Sequence, residues 1–392
     1  MYNPACASRI DKAYNRVRYL IFLIVFVFAK ATLAQTKLPV IKAASKRISI
    51  NDGGYLDRDA WNLSPKARPD VYTADRTRKT KWVTFYTDID SIRIKVKPGG
   101  RYNFVILLNG KDSCYTQVAS DIPPETPTVN KAATHDTIPF SLTPSDAIAV
   151  KTIINQKDTL LLHFDVGSFY FSITRDALSK RLPGKKVSTL QMGSITWNDP
   201  DISPTLVTAT GMDGKFGWQL FEGKMVEINY DKGLLIIHSE LPKDLTGYKR
   251  SKLNFVRSFV CTYGDFRIGD KTYRGNFLMD TGSGQALIVD SSWANHEHLP
   301  KDLKLIRSSA IYDPRGVKYE TRIVLAPQFN IGGFGLKDVP VYLLGSQNPT
   351  RLELNYLGND LLKRFNIILD FKHDNLYLKP GSLMGVAYRE HS

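Results

Sequence analysis

The chain has 392 residues, with 53 Lys and Arg against 38 Asp and Glu, a formal charge of +15. That length points to two or three domains, and 43% hydrophobic with 23% charged residues excludes wholesale disorder, a collagen-like chain and a coiled coil. Three cysteines exclude a disulfide-dense scaffold and a four-cysteine zinc module.

Residues 1–18 hold Arg9, Lys12, Arg16 and Arg18 with only Asp11 opposing them, and an apolar run from Tyr19 to Ala29 follows. With small residues at Thr32 and Ala34, residues 1–34 read as a secretory signal peptide cut after Ala34. The run is short for a membrane span, and an uncleaved anchor is the other reading. The expectation is an exported protein (periplasmic, outer-surface or secreted) with no stable membrane span once the signal is removed. Cleavage would take away five cations and one anion, leaving about +11. The remaining Lys and Arg form no dense stripe and no reading helix, so nucleic acid is not an expected partner. Cys114 and Cys261 either pair in an oxidising compartment or sit as two buried thiols.

Residues 35–120 read as short strands. Thr80 to Thr87, Ser91 to Lys97 and Arg101 to Asn109 are rich in β-branched and aromatic residues, and Pro98-Gly99-Gly100 and Asn109-Gly110 supply hairpin turns. Ile92, Ile94 and Val96 alternate with Arg93, Lys95 and Lys97, so one face is buried and one is wet. A small N-terminal β-sandwich is expected, with Asp88 and Asp90 in a polar turn rather than a cation site. Residues 121–145, with Pro123, Pro124, Pro127, Pro139 and Pro144 among Thr, Ser and Asn, have the composition of an extended linker.

The rest contains a repeat. Leu160 to Phe164 enters Asp165-Val166-Gly167-Ser168, and Gly275 to Met279 enters Asp280-Thr281-Gly282-Ser283. Each Asp-x-Gly-Ser turn leads to a further apolar stretch, Phe169 to Ile173 and Ala286 to Val289. The copies also share an ending that aligns without a gap from Gly217/Gly358 through Ile237/Leu378: a glycine, a short apolar helix, then two strands across a polar turn. One Asp-Thr-Gly is a weak signal; two such turns, each with the same ending, are a strong one.

On these residues the chain resembles the retropepsin- and pepsin-like aspartic proteases. Phe277-Leu278-Met279-Asp280-Thr281-Gly282-Ser283 is similar to their catalytic loop, and Tyr356-Leu357-Gly358-Asn359-Asp360-Leu361-Leu362 to their apolar-apolar-glycine element. The resemblance covers roughly 60% of the chain. It implies an all-β, bilobal acid-protease fold from two tandem repeats, lobe 1 over 146–242 and lobe 2 over 243–380, in a monomer with pseudo-twofold lobes. It further implies an aspartic endopeptidase acting on peptide or protein substrates, without cofactor or metal, in which Asp165 and Asp280 form the catalytic pair. Thr281 would bond across to the opposite loop.

Two carboxylates at hydrogen-bonding distance cannot both ionise cheaply, so one serves as base and the other as acid. Gly167 and Gly282 allow the close approach that aims each carboxylate, and Ser168 and Ser283 stand where a hydroxyl can donate to it. Two departures stand out. Val166 replaces the threonine of the second copy, so half of a two-threonine brace is missing. Asp165 to Gly217 spans 52 residues and Asp280 to Gly358 spans 78, so the second copy alone has room for a flap. Leu305 to Tyr312, a turn at Asp313-Pro314-Arg315-Gly316 and Val317 to Val324 read as that hairpin, with Tyr312 and Tyr319 near its tip, each either a cross-strand packing residue or a substrate contact.

His296 and His298 lack the spacing of a helical zinc protease and read as a solvated helix face. His163 shares a strand face with Asp165, either as a packed histidine or as a proton partner. Trp197 and Trp218 are expected in the core of lobe 1. Val166 and the missing first flap leave two rivals open: a weak or inactive protease-like fold used as a binding or surface module, and a homodimer using only Asp280.

Overall fold

The computed structural model describes residues 38–122 and 135–391, apart from 201, 206–207, 313–315, 347, 349 and 351. The expected signal peptide, the turn at 313–315 and much of the expected linker lie outside the described residues. Strands dominate, and no described helix is long and apolar enough to cross a membrane.

The chain divides into two compact units. The first takes in residues through Tyr72, Trp82–Lys95 and Arg101–Ala119. It contains two four-stranded sheets, one ordered Val40–Ala43, Arg101–Leu108, Asp112–Ser120, Asp70–Ala74 and the other Tyr55–Asn62, Arg47–Asp52, Lys81–Tyr86, Ser91–Val96. Alternation buries Ile48, Ile50, Val83 and Phe85 on one sheet and Phe104, Ile106 and Val118 on the other. The two layers meet edge to face at Phe85 and Phe104, ring centroids 5.2 Å apart. Asn109 and Gly110 turn the hairpin at positive φ, 53° and 68°. Asp88 accepts from Ala44 N at 2.9 Å, a turn contact. Cys114 and Cys261 are both buried free thiols.

The second unit holds Ser120–Ser392, and Thr73–Lys81 and Val96–Gly100 group with it rather than with the first unit. Arg76 is the reason for the former. Its buried guanidinium pairs with Glu222 at 2.5 Å and Asp374 at 2.8 Å and lies over the Phe255 ring at 3.7 Å. The strands of this unit form a closed barrel-like sheet system in which one set of pairings occurs twice. In the first copy Ile148–Ile154 pairs antiparallel with Asp158–Phe164, which runs parallel to Gly214–Phe216. Phe171–Thr174 pairs antiparallel with Gly214–Phe216 and parallel with Ile202–Thr205. In the second, Phe259–Ile268, Lys271–Asp280, Asn355–Gly358, Leu287–Val289 and Phe334–Leu344 repeat those relations in the same order. The endings then join: Met225–Asn229 pairs antiparallel with Phe365–Asp370, and each also pairs with its own hairpin partner, Leu234–His238 or Asn375–Pro380.

Part of the expected linker is a strand. His135–Leu142 pairs with Leu234–His238 and with Ile148–Val150, burying Ile138. The prolines that suggest a linker coexist with pairing here because Pro139 gives up only its own N–H, while Phe140 N still donates to Gly233 O at 2.8 Å. Trp218 fills the core and Trp197 packs against it.

Candidate active site

Each Asp-x-Gly-Ser turn leaves a strand end and is clamped by its own ending. A side chain at Gly217 would lie 2.1 Å from Ser168 O, and one at Gly358 would lie 2.1 Å from Gln285 O, so only glycine fits at either place. The residue after each glycine closes the clamp, Trp218 N donating to Ser168 O and Asn359 N to Ser283 O. The shared ending thus shapes the turn that carries the acid.

The turns bring Asp165 and Asp280 together. A Cβ at Gly282 would stand 3.1 Å from Asp165 Oδ1 and equally 3.1 Å from Asp280 Oδ1; one at Gly167 would stand 3.2 Å and 3.1 Å from the same two oxygens. Gly167 N donates to Asp165 Oδ1 at 3.0 Å and Gly282 N to Asp280 Oδ1 at 3.0 Å, so each inner oxygen is held alike. Between them, the buried Thr281 hydroxyl accepts from Val166 N at 3.0 Å and donates to Phe164 O at 2.9 Å. Val166 has no hydroxyl with which to return the bond. The other cross-connection comes from His163, whose Nε2 lies 3.3 Å from Thr281 O; a carbonyl only accepts, so Nε2 carries the hydrogen. Burial, acting against the pull of Asp165, lowers the His163 pKa.

The two serines differ. Ser168 donates to Asp165 Oδ2 at 2.6 Å, whereas Ser283 donates to Gln285 Oε1 at 2.6 Å and not to Asp280. The carboxamide two residues on captures the hydroxyl; the first copy has Tyr170 at that place. Lys215, which motif reading overlooks, puts Nζ 3.0 Å from Asp165 Oδ2.

These contacts give the acids opposite tendencies. Burial favours protonation of Asp165, but Lys215, His163 and the Ser168 hydroxyl outweigh it and hold the carboxyl below the usual range. Among the described residues no cation touches Asp280; burial first, then the charge of Asp165, pushes it up to about 7. Both line a cleft of about 540 Å³. Its far wall, Ile288, Ile311, Tyr319 and Tyr356, comes from the second copy.

A hairpin borders the cleft in the second copy. Leu305–Tyr312 pairs with Lys318–Ile331, a longer return strand than Val317 to Val324, and Tyr312 faces Lys318 in register. Tyr312 is 65% exposed, while Tyr319 is buried among Ile288, Ile323, Tyr342 and Leu344. Packing is thus the role of Tyr319 and not of Tyr312. Gly316 takes φ 80°. Among the described residues, the corresponding stretch of the first copy holds the short hairpin Thr189–Met192 and Ile195–Asn198. His296, at the end of Ser291–His296, contacts Glu353, and among the described residues no cluster of His, Cys, Asp and Glu could hold a metal ion.

No family model matches the sequence, and no curated protein matches it. Among solved structures, the chain is similar to the aspartic proteinase from Irpex lacteus. The TM-score is 0.43 at 14% identity, over 65% of this chain and 100% of that one.

Proposed function

We propose that the protein is an aspartic-type endopeptidase of bilobal pepsin/retropepsin-like architecture, exported from the cell and complete as a monomer. The observation that carries this reading is the approach of Asp165 and Asp280 to a common point, each inner oxygen held by the glycine N–H of its own turn. A water lodged between them gives its proton to Asp165 while its oxygen attacks the peptide carbonyl, and Asp280 protonates the carbonyl oxygen. The tetrahedral intermediate then expels the amine, which takes the proton now on Asp165, as the intermediate's hydroxyl returns one to Asp280. Both carboxyls end as they began, and no covalent enzyme intermediate forms.

The apolar wall of the cleft and the hairpin beside it suit an extended peptide with an apolar side chain next to the scissile bond. Cleavage of casein or a peptide library between pH 3 and pH 8, sensitive to pepstatin, is the expected result. Val166 favours a second reading, a protease-like fold kept for binding, because it leaves the brace one-sided. Peptide capture without cleavage at any pH would support that reading instead.

A further inference from the structure

Lys215 lies on the floor of the cleft, in the short strand Gly214–Phe216. Its side chain is 24% exposed, and its register partner across the parallel pairing is His163. Two positions before Gly358, Tyr356 stands where Lys215 stands before Gly217, and its register partner is Leu278. One half of the cleft therefore presents an ammonium and an imidazole where the other presents the Tyr356 phenol, with Leu278 buried behind it. The backbone repeats; the charge does not.

We propose that Lys215 is a positioning residue of the acid pair: its ammonium pins the outer oxygen of Asp165 and thereby fixes Asp165 as the base and Asp280 as the acid. This rests on the hydrolytic reading of the pair. Two carboxyls in matched surroundings share a proton without preference, and a cation in contact with one of them removes the degeneracy. Lys215 and Ser168 both donate to Asp165 Oδ2, at 3.0 Å and 2.6 Å, which leaves Oδ1 turned to Asp280. Among the described residues, the charged or titratable groups facing the pair are Lys215, His163 from Asp158–Phe164, Tyr356 from Asn355–Gly358, and each acid's partner. Ser172, opposite Lys215 in the antiparallel pairing, adds no charge.

Lys215 favours ionisation of both acids, and of Asp165 more because it touches that one. Without it both midpoints rise, that of Asp165 further, so the pH window holding one base and one acid narrows from its acidic side. The test is a carboxyl-carbon NMR titration of Asp165 and Asp280, with the pH profile of kcat/KM on a peptide substrate, in the full chain and in Lys215→Met and Lys215→Arg. In Lys215→Met the Asp165 midpoint should rise by about one unit or more. The acidic limb should rise with it, and Lys215→Arg should keep the wild-type order. Lys215→Tyr, which installs the second copy's residue, gives the same reading where the methionine variant does not fold. An Asp165 midpoint unmoved in the folded methionine or tyrosine variant overturns the proposal. A wild type that cleaves nothing sinks the hydrolytic reading alone, because the midpoints still decide the role of Lys215.

Discussion

The hydroxyl of Thr281 bridges the two Asp-x-Gly-Ser turns by accepting a hydrogen bond from Val166 N at 3.0 Å. The same hydroxyl donates to Phe164 O at 2.9 Å, so one buried oxygen satisfies two backbone groups of the opposite turn. Thr281→Val keeps the shape and removes both bonds. Leaving a buried N–H and C=O without partners costs roughly 1–3 kcal/mol. Denaturant unfolding should show that loss, and peptide cleavage should fall with it because the acids lose their mutual register. A variant as stable and as active as the wild type would show that the brace is dispensable.

Val166→Thr asks whether the pseudo-symmetry extends to the missing hydroxyl. Placing a hydroxyl in an ordinary apolar core costs about 1–3 kcal/mol. At the position related to Thr281 it should find backbone partners on the second turn, and stability should change by less than about 0.5 kcal/mol. A full core penalty, measured as a shift in denaturation midpoint at constant m-value, would mean that the second turn offers no such partners.

Asp280 ties stability to pH. Its pKa is raised to about 7 by burial and by the Asp165 charge, so between the ordinary carboxylate range and pH 7 the folded chain binds more protons than the unfolded one. Its contribution is therefore fully present at acid pH and is lost as pH rises through 7. Asp280→Asn, a neutral isostere, should abolish cleavage yet raise stability at pH 7.5 by roughly 1–3 kcal/mol, with little gain at pH 4. Thermal unfolding at the two pH values checks this. Equal effects at both would remove the assigned charge state.

The hairpin tyrosines should separate into substrate and scaffold. Tyr312 is 65% exposed and lines the cleft. Tyr312→Ala should raise KM and leave stability within about 0.5 kcal/mol. Tyr319→Ala removes a buried ring from the Ile288, Ile323, Tyr342 and Leu344 cluster and should cost about 3–5 kcal/mol. Steady-state kinetics and calorimetry on the pair resolve the two roles.

The turns and their endings are legible in the sequence because their chemistry is local. An acid, a glycine that must let the backbone approach and a second glycine heading a short helix leave few alternatives at each position. The Ser283 hydroxyl reads wrongly for an equally local reason: it donates to Gln285, two residues later, instead of to Asp280. His135–Leu142 is hidden by composition, since Pro139 and its Thr and Ser neighbours mask a strand that pairs with Ile148–Val150 on one side and with Leu234–His238, about 100 residues on, on the other. Lys215 is the instructive omission. The gapless alignment of the two endings begins at Gly217/Gly358, so Lys215, two positions before it, falls outside the match together with its counterpart Tyr356. Only the parallel pairing with Asp158–Phe164 puts its ammonium on Asp165.

The most direct measurement is kcat/KM for peptide hydrolysis by the wild type and by Asp165→Asn, prepared as the full chain and matched for folding by circular dichroism. If the two acids divide base and acid between them, the wild type cleaves and the asparagine variant loses about 10²–10⁴-fold or more. Asp165→Asn cleaving at the wild-type rate would contradict the pair and leave Asp280 to find its partner in a second chain.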